Sequence, residues 1–243
     1  MMNQILTLVN RLRHSDNLAV LTGAGVSAAS GVPTFRGQNG LWKKYRPEEL
    51  ANPQAFRTHP EVVWEWYSWR RQLIRQVHPN AAHYALVELE KMVSTFTLMT
   101  QNVDNLHQLS GSINVIELHG NIMKNKCFSC NQPSTEDIHL GSGLPRCKLC
   151  DGLIRPDVVW FGESLPMEAL KKAQLAAMEC DVFLAVGTSA VVEPAASLPY
   201  LAKANGAYLV EINTEETPLS SKTDLFLAGA AEQILFELSE HIK

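Results

Sequence analysis

The sequence predicts an α/β protein built on a doubly wound parallel sheet, with a second, smaller domain. Apolar runs of strand length alternate along the chain with amphipathic stretches of helix length, a pattern typical of parallel sheets covered by helices on both faces. A chain of 243 residues with 46% hydrophobic content can bury one large core and a smaller one beside it. Two closely spaced pairs of cysteines indicate that the smaller unit is stabilised by a metal.

The predicted elements follow from local hydrophobic periodicity. Residues 3–14 place Ile5, Leu8 and Leu12 on one helical face, and the apolar run 18–21 predicts the first strand. Further helices are predicted at 60–77, 81–93, 167–178, 195–205 and from 231 onwards. Further strands are predicted at 95–100, 115–118, 158–161, 182–186 and 207–212.

The composition argues against several classes of protein. The formal net charge of −4 gives no electrostatic reason to expect direct binding of nucleic acid. The sequence has no apolar run of about 18 residues, so we expect no membrane span. Arg11, Arg13 and His14 interrupt any secretory signal at the N-terminus. Since four of the five cysteines are paired, a metal site in a reducing compartment is favoured over disulfides. We therefore expect a cytoplasmic protein, and a monomer is the working hypothesis.

A glycine-rich turn follows the first strand. Gly23 and Gly25 leave the end of the strand without side chains, and residues 26–30 are predicted to open a helix whose N–H groups suit a pyrophosphate. Ala28 stands at the last position of the dinucleotide-binding fingerprint, which accepts alanine as well as glycine. An ordinary tight turn between a strand and a helix is the alternative for this pattern on its own.

Polar clusters follow four of the predicted strands. They begin at Thr22, Thr100, Gly187 and Ile212. Any one of them could be a capping turn. Because ligands bind beyond the carboxyl ends of the strands in an open parallel sheet, four such clusters predict a shared ligand cleft.

The two cysteine pairs have the spacing of a zinc ribbon. Cys127 and Cys130 form the first C-x-x-C pair, and Cys147 and Cys150 form the second. Four thiolates complete a closed tetrahedral site with no position open for water, which favours a structural zinc ion. Two redox-active pairs are the alternative. Cys180 stands apart and is predicted to be a small buried side chain.

The glycine turn and its continuation to Gly37 resemble the signature of the sirtuins, the NAD-dependent protein deacylases. The resemblance recurs at 100–104, 119–120, 187–189 and 212–213, and so covers nearly the whole chain. It implies two cofactors, NAD and one structural zinc ion. The implied Rossmann-like NAD-binding domain consists of residues 1–33, 79–120 and 157–243, and the implied small domain, a helical insertion with the cofactor loop and the zinc ribbon, of residues 34–78 and 121–156.

The resemblance also implies where NAD binds. The irregular segment 33–52 is similar in position and length to the sirtuin cofactor-binding loop, although a disordered surface loop is the alternative. The implied NAD-binding residues are Gly23, Ala24, Gly25, Ser27, Ala28, Pro33, Thr34, Phe35, Arg36, Trp42, Gln101, Asn102, Val103, Asp104, Gly187, Thr188, Ser189, Asn213, Thr214, Glu215 and Ala231.

His119 is the candidate general base. A lone histidine is more often structural than catalytic, but His119 lies at a strand end and matches the sirtuin His-Gly. An imidazole with a pKa near 6.5 can accept a proton at neutral pH. The resemblance implies that the acyl-lysine carbonyl oxygen attacks the ribose of NAD and that nicotinamide leaves. His119 then activates a ribose hydroxyl, which takes the acyl group and frees the lysine, with Asn102 and Asp104 in the same catalytic region.

Two segments are implied to bind the acylated-lysine protein substrate. Within 156–163, the substrate backbone pairs as an added strand. Tyr67 and Arg70 match the Tyr-x-x-Arg of the sirtuin subgroup that removes succinyl and malonyl groups, and arginine suits a terminal carboxylate. The implied contacts of the first segment are Val159, Trp160, Phe161 and Gly162.

Alternatives remain for the acyl group and for the activity. Tyr67 and Arg70 could instead belong to a helix with an aromatic core face and solvated arginines, in which case the chain is a plain lysine deacetylase. The same cleft could serve a mono-ADP-ribosyltransferase, or a zinc-ribbon module that only senses NAD. Mass spectrometry of the products from acetyl-, succinyl- and malonyl-lysine peptides with NAD separates these hypotheses.

Overall fold

The computed structural model describes residues 2–34, 50–135 and 143–242. Its strands are β1 (Asn17–Thr22), β2 (Thr95–Thr100), β3 (Val115–Glu117), β4 (Gly120–Cys127), β5 (Pro133–Ser134), β6 (Ile154–Val158), β7 (Val182–Val186), β8 (Tyr208–Asn213) and β9 (Leu225–Ala228). Its α-helices are α1 (Met2–Arg13), α2 (Pro53–Thr58), α3 (Pro60–Arg75), α4 (Ala81–Met92), α5 (Leu106–Ser110), α6 (Met167–Glu179), α7 (Leu198–Ala204) and α8 (Ala231–Ile242). Across these ranges, no helix is both long enough and apolar enough to span a bilayer.

Six strands form a parallel sheet in the order β3-β2-β1-β7-β8-β9. The chain moves outward from β1 to β3 on one side, then crosses over and moves outward from β7 to β9 on the other. The strand order therefore reverses between β1 and β7. In open parallel sheets, ligands bind beyond the carboxyl ends of the strands at such a switch point. The predicted α/β class is confirmed.

Helices cover both faces of this sheet. Successive side chains of a strand point to opposite faces. Leu18 and Val20 of β1 join the apolar cluster formed with α1, α4 and α8, and Ala19 and Leu21 join the cluster formed with α6 and α7. Because both faces are buried, β1 and β7 are apolar along nearly their whole length.

A second, three-stranded antiparallel sheet has the order β5-β4-β6. It packs against α2 and α3 through a separate apolar cluster that includes Phe56 and Trp64. The indole N–H of Trp64 donates to the carbonyl of Ile154, at 2.9 Å. The four zinc-ribbon cysteines lie at the end of this sheet. We retain the predicted domain boundaries at 33/34, 78/79, 120/121 and 156/157 as a proposal.

Several predicted elements need correction. The strand predicted at 158–161 is β6, which ends at Val158 and pairs antiparallel with β4 in the small sheet. The helix predicted at 26–30 is a 3-10 helix, Ala24–Ser30. The helix predicted at 195–205 is a 3-10 turn followed by α7, because Pro199, which lacks an N–H, favours a helix start there. The elements β4, β5, β9, α2 and α5 were not predicted.

Candidate functional site

A cavity of about 620 Å³ lies beyond the carboxyl ends of β1, β2, β7 and β8, at the switch point of the large sheet. Its far wall comes from α3 and from the segment that follows β6. The predicted site residues that line it are Gly23, Ala24, Gly25, Thr34, Tyr67, Arg70, Gln101, Asn102, Val103, His119, Val159, Trp160, Phe161, Gly162, Gly187, Thr188, Ser189, Asn213, Thr214 and Glu215. The four polar clusters therefore share one cleft.

Other predicted site residues lie elsewhere. Ser27 and Asp104 are buried behind the cavity wall, Ala28 and Pro33 are exposed, and Ala231 packs in the core at the start of α8. None of these five is part of the lining of the described cavity. The predicted residues Phe35, Arg36 and Trp42 lie outside the described residues.

Part of the cavity lining was not predicted from the sequence. Trp66 lies one helical turn before Arg70 on α3, so the spacing of four residues could have indicated it. The other missed lining residues are Ala51, Val158, Glu163, Leu165, Val192, Glu193, Glu216, Thr217 and Pro218.

The glycine turn packs tightly against the loop after β7. The N–H of Gly25 donates to the carbonyl of Gly187, at 2.9 Å. A Cβ on Gly25 would lie 2.7 Å from the Cα of Gly187, and a Cβ on Gly23 would lie 2.7 Å from the carbonyl oxygen of Gly187. The glycines are thus required for contact between the two loops, in addition to the ligand approach that was predicted from the sequence.

His119 connects β3 to β4 and faces the cavity. Its Nδ1 lies 3.0 Å from the carbonyl oxygen of Gln101. A carbonyl can only accept, so Nδ1 carries the hydrogen and Nε2 keeps a lone pair. Burial lowers the pKa of His119, and the bond to Gln101 opposes this only in part. The imidazole is therefore neutral at pH 7, as a general base must be.

A buried polar network lies behind this wall. The amide of Asn102 donates to the carbonyl of Gly23 and to the hydroxyl of Ser27, both at 3.1 Å. The carboxyl of Asp104 accepts from the N–H of Leu106 at 3.0 Å and is hydrogen-bonded to Ser27. Burial raises the pKa of Asp104, and these hydrogen bonds lower it in part. The network fixes the backbone on which Asn102 meets the cavity.

Two buried histidines, which were not predicted to form a pair, extend the network. The rings of His83 and His107 lie 4.9 Å apart between centroids. Nδ1 of His83 accepts from the N–H of Asn80, at 3.2 Å, so a neutral ring carries its hydrogen on Nε2, which faces Ser27 at 3.4 Å. Burial lowers the pKa of His83 to about 4 and that of His107 well below 6.5.

We expect His83 to make folding stability sensitive to acid. Its pKa of about 4 in the folded state is below the value near 6.5 in the unfolded state. The contribution of neutral His83 to the free energy of unfolding is therefore complete above pH 6.5 and is lost as the pH falls towards 4. Between pH 7 and pH 5 this amounts to about 2 kcal/mol. Urea unfolding at both pH values should therefore show a larger loss for the wild type than for His83→Gln. Equal losses in the two proteins would contradict the assignment.

Tyr67 and Arg70 lie side by side in the wall formed by α3. Both side chains are buried, with 2% and 7% of their surface exposed. The guanidinium carbon of Arg70 lies 4.9 Å from the centre of the Trp66 ring and 6.0 Å from that of Tyr67. Burial lowers the pKa of Arg70 and raises that of Tyr67. Arg70 is a cation, because arginine stays protonated in proteins. Tyr67 is neutral, because its pKa is raised, and its hydroxyl can donate a hydrogen bond beside that cation.

The segment after β6 is held by an ion pair between buried Arg155 and half-buried Glu163. Arg155 donates to both carboxylate oxygens of Glu163, at 2.5 and 3.0 Å, and to the carbonyl of Val158. Its guanidinium carbon lies 3.2 Å from the centre of the Trp160 ring. The backbone N–H of Trp160 donates to Glu163, at 2.8 Å. These contacts fix the predicted substrate segment as a rigid loop.

The four paired cysteines converge at the end of the small sheet. All four Sγ atoms lie within 4.8 Å of one another. The Sγ atoms of Cys127 and Cys150 are 3.4 Å apart, and those of Cys130 and Cys147 are 3.8 Å apart. A tetrahedron with Zn–S bonds of about 2.3 Å has edges of about 3.8 Å. The cluster fits one structural zinc ion, as the spacing predicted.

The geometry of Cys127 favours a thiolate. The N–H groups of Ser129 and Cys130 point at its Sγ, at 3.3 and 3.4 Å. Burial raises the pKa of Cys127, but these hydrogen bonds, with those from the other cysteines, outweigh it and bring the value down to about 7. Zinc binds the thiolate form, so this arrangement prepares the ligand.

Comparison with known proteins adds independent findings. The model of the Sir2 family matches residues 23–194. The NAD-dependent protein deacylase of Aquifex aeolicus is 50% identical over 228 residues, which cover 93% of this chain and 95% of that protein. The crystal structure of a Sir2 homologue in complex with NAD is 48% identical, with a TM-score of 0.91, and the match covers 98% of this chain and 93% of that one. The complex of Sir2 with a p53 peptide and NAD⁺ is 35% identical, with a TM-score of 0.88 and 97% coverage of both chains.

Proposed function

This chain belongs to the Sir2 family, and we propose that, as an NAD-dependent protein deacylase, it prefers acidic acyl groups such as succinyl and malonyl. The deacylase activity itself is indicated by relatives such as the Aquifex aeolicus deacylase, which matches along nearly the full length of both chains. Tyr67 and Arg70, buried side by side in the cavity wall, carry the acidic preference.

The cavity suits NAD in size and chemistry. Its volume of about 620 Å³ lies in the range of about 300–1,000 Å³ that is typical of ligand pockets. When bound there, NAD would supply a ribose carbon as the electrophile for the acyl oxygen, with nicotinamide as the leaving group. Backbone and side-chain polar groups of the strand ends would hold it. The proposed contacts are Gly23, Ala24, Gly25, Thr34, Gln101, Asn102, Val103, Gly187, Thr188, Ser189, Asn213, Thr214 and Glu215.

His119 is proposed to move the proton. Its Nε2 carries a lone pair because Nδ1–H donates to Gln101, and burial keeps the ring neutral at pH 7. Nε2 can therefore accept the proton of a ribose hydroxyl as that oxygen attacks the acyl carbon. Asn102 contributes to the cavity wall, whereas Asp104 acts from behind it through Ser27.

The substrate peptide is proposed to pair with the loop after β6. The N–H groups of Val159, Trp160 and Phe161 already donate within the chain, to His119, Glu163 and Ala51. An added strand would therefore pair with the remaining backbone groups of this loop, including the N–H of Gly162. The related Sir2 structure that holds a p53 peptide supports a peptide substrate.

The charge of the cavity supports an acidic acyl group at Arg70. Among the described lining residues, Arg70 is the only side chain with a permanent positive charge, whereas Glu163, Glu193, Glu215 and Glu216 are acidic. Within the described lining, Arg70 is therefore the charged group that would stabilise a free carboxylate on the acyl chain, since a planar guanidinium can bind both of its oxygens. The alternative is a plain deacetylase in which Arg70 only supports the wall.

Replacing Arg70 by methionine tests the acidic preference. The variant keeps a long apolar stem but loses the charged fork. A hydrogen bond to a charged group contributes roughly 1.5–3 kcal/mol, or about one to two decades in kcat/KM. We expect desuccinylation to fall by at least this factor and deacetylation to change little, because an acetyl group has no carboxylate. Both rates are measured on peptides with the same flanking sequence.

Arg75→Met is the matched control, because it removes the same charge from the exposed end of α3. Its ratio of the two activities should equal that of the wild type. If both activities fall together in Arg70→Met, Arg70 supports the fold and the acidic preference is wrong. Transfer of labelled ADP-ribose to protein without deacylation would indicate a mono-ADP-ribosyltransferase instead.

A further inference from the structure

The hydroxyl of Tyr67 is paired with the indole of Trp160. Trp160 Nε1 lies 2.8 Å from the Tyr67 hydroxyl oxygen, and each side chain is only 2% exposed. An indole N–H can only donate, so the Tyr67 oxygen is the acceptor in this bond. A phenol carries a single hydrogen, and that hydrogen is therefore directed to a different partner.

The hydrogen of the Tyr67 hydroxyl needs an acceptor. Within the residues that the structure describes, this hydroxyl makes one hydrogen bond, which it accepts from Trp160. On the same wall lies the guanidinium of Arg70, which is a donor and cannot accept. The Tyr67 hydroxyl and the Arg70 guanidinium both line the cavity and both are donors, so a ligand atom that contacts this pair must be an acceptor.

Trp160 itself is held rigidly. Arg155 lies over its ring, and Glu163 accepts its backbone N–H while pairing with Arg155. Phe56 packs against it at 5.3 Å between ring centres. The indole N–H therefore has a fixed direction, and it fixes the rotation of the Tyr67 hydroxyl in turn.

We infer that Trp160 is a positioning residue for acyl selectivity: its indole N–H orients the Tyr67 hydroxyl so that the hydroxyl hydrogen is donated to the terminal carboxylate of an acidic acyl chain. This inference rests on the proposed role of Tyr67 and Arg70. Without the indole donor, the hydroxyl is free to rotate and its hydrogen is no longer presented to the carboxylate. A neutral acyl group such as acetyl has no terminal carboxylate to accept from Tyr67 and Arg70. Loss of the indole donor should therefore lower the activity on acidic acyl groups specifically.

The test is the ratio of kcat/KM for succinyl-lysine and acetyl-lysine peptides in Trp160→Phe. This variant keeps an aromatic ring under Arg155 but removes the donor. Because Trp160 lines the cavity, both activities are allowed to fall. We expect the ratio to fall by about fivefold, the loss expected for one neutral hydrogen bond. In a Tyr67→Phe background, the same change at Trp160 should leave the ratio unaltered, because the hydroxyl that it orients is absent.

A second variant removes the indole N–H while keeping the packing of the side chain. 3-Benzothienylalanine at position 160 has nearly the shape of tryptophan but carries sulfur in place of the N–H, and it should lower the ratio as Trp160→Phe does. An unchanged ratio in this variant, alongside a lowered ratio in Tyr67→Phe, overturns the inference while leaving the proposed function intact. A wild-type enzyme that shows no preference for succinyl, with Arg70→Met unchanged in ratio, overturns the proposed function itself and the inference with it.

Discussion

Replacing His119 by alanine is expected to lower deacylation by a factor of about 10²–10⁴, the range typical for loss of a general base. Nε2 of His119 carries a lone pair that faces the cavity, and alanine offers no group that can accept a proton there. NAD binding should change little, because the strand-end loops that surround the cavity remain. Single-turnover rates and NAD titration by calorimetry measure the two quantities separately.

The pH dependence of the wild type provides a second measurement. Burial lowers the pKa of His119, so its imidazole stays neutral to below pH 6.5. The rate should therefore fall on the acid side with an apparent pKa under 6.5. His78→Ala, on an exposed turn after α3, serves as the control and should keep the wild-type profile. Turnover at the wild-type rate in His119→Ala would mean that another residue is the base.

Replacing Cys127 by serine is expected to release zinc and to unfold the small sheet. Binding of zinc to a structural four-cysteine site contributes roughly 10–16 kcal/mol in isolated zinc-finger peptides. This is comparable to the whole stability of a typical domain, about 5–15 kcal/mol. Elemental analysis should show about one zinc ion per wild-type chain and far less in the variant. Hydrogen exchange should be faster in β4, β5 and β6, while β1 and β7 remain protected.

Cys180→Ala is the matched control for this experiment. Cys180 is buried in the core between the large sheet and α6, away from the cluster. The control should lose some stability through packing but retain its zinc. Folded, active Cys127→Ser protein without metal would refute the structural role of the cluster.

The large sheet was predictable because its strands are buried on both faces. The runs at 18–21 and 182–186 are apolar without interruption, a local signal that survives in the sequence. By contrast, β4 alternates only weakly between buried and exposed positions, and β9 has four residues. Their strand character comes from pairing partners distant in the chain, which local periodicity does not contain.

The residues of the candidate site also fall into those that local sequence predicts and those that depend on tertiary packing. Residues at strand ends, such as Gln101 and Gly187, were predictable because parallel strands deliver their carboxyl ends to one edge. Glu163 and the Tyr67–Trp160 pair depend on how α3 and the small sheet pack together, and Tyr67 and Trp160 are 93 positions apart. Ser27 and Asp104 were predicted at the ligand surface, but their burial could be known only from the folded chain.

The strand β4 begins at the residue after His119 and ends at Cys127, a zinc ligand. At roughly 3.3 Å per residue, its eight residues span at most roughly 26 Å, so the metal cluster and the imidazole lie at opposite ends of the strand. A chelator would therefore inactivate the enzyme at a distance. Its onset should follow the slow melting of the small sheet instead of the fast exchange of a metal-bound water. Inhibition by chelation in this protein would thus measure how firmly the small sheet holds His119, the proposed base. It would be mistaken for metal catalysis if its time course were ignored.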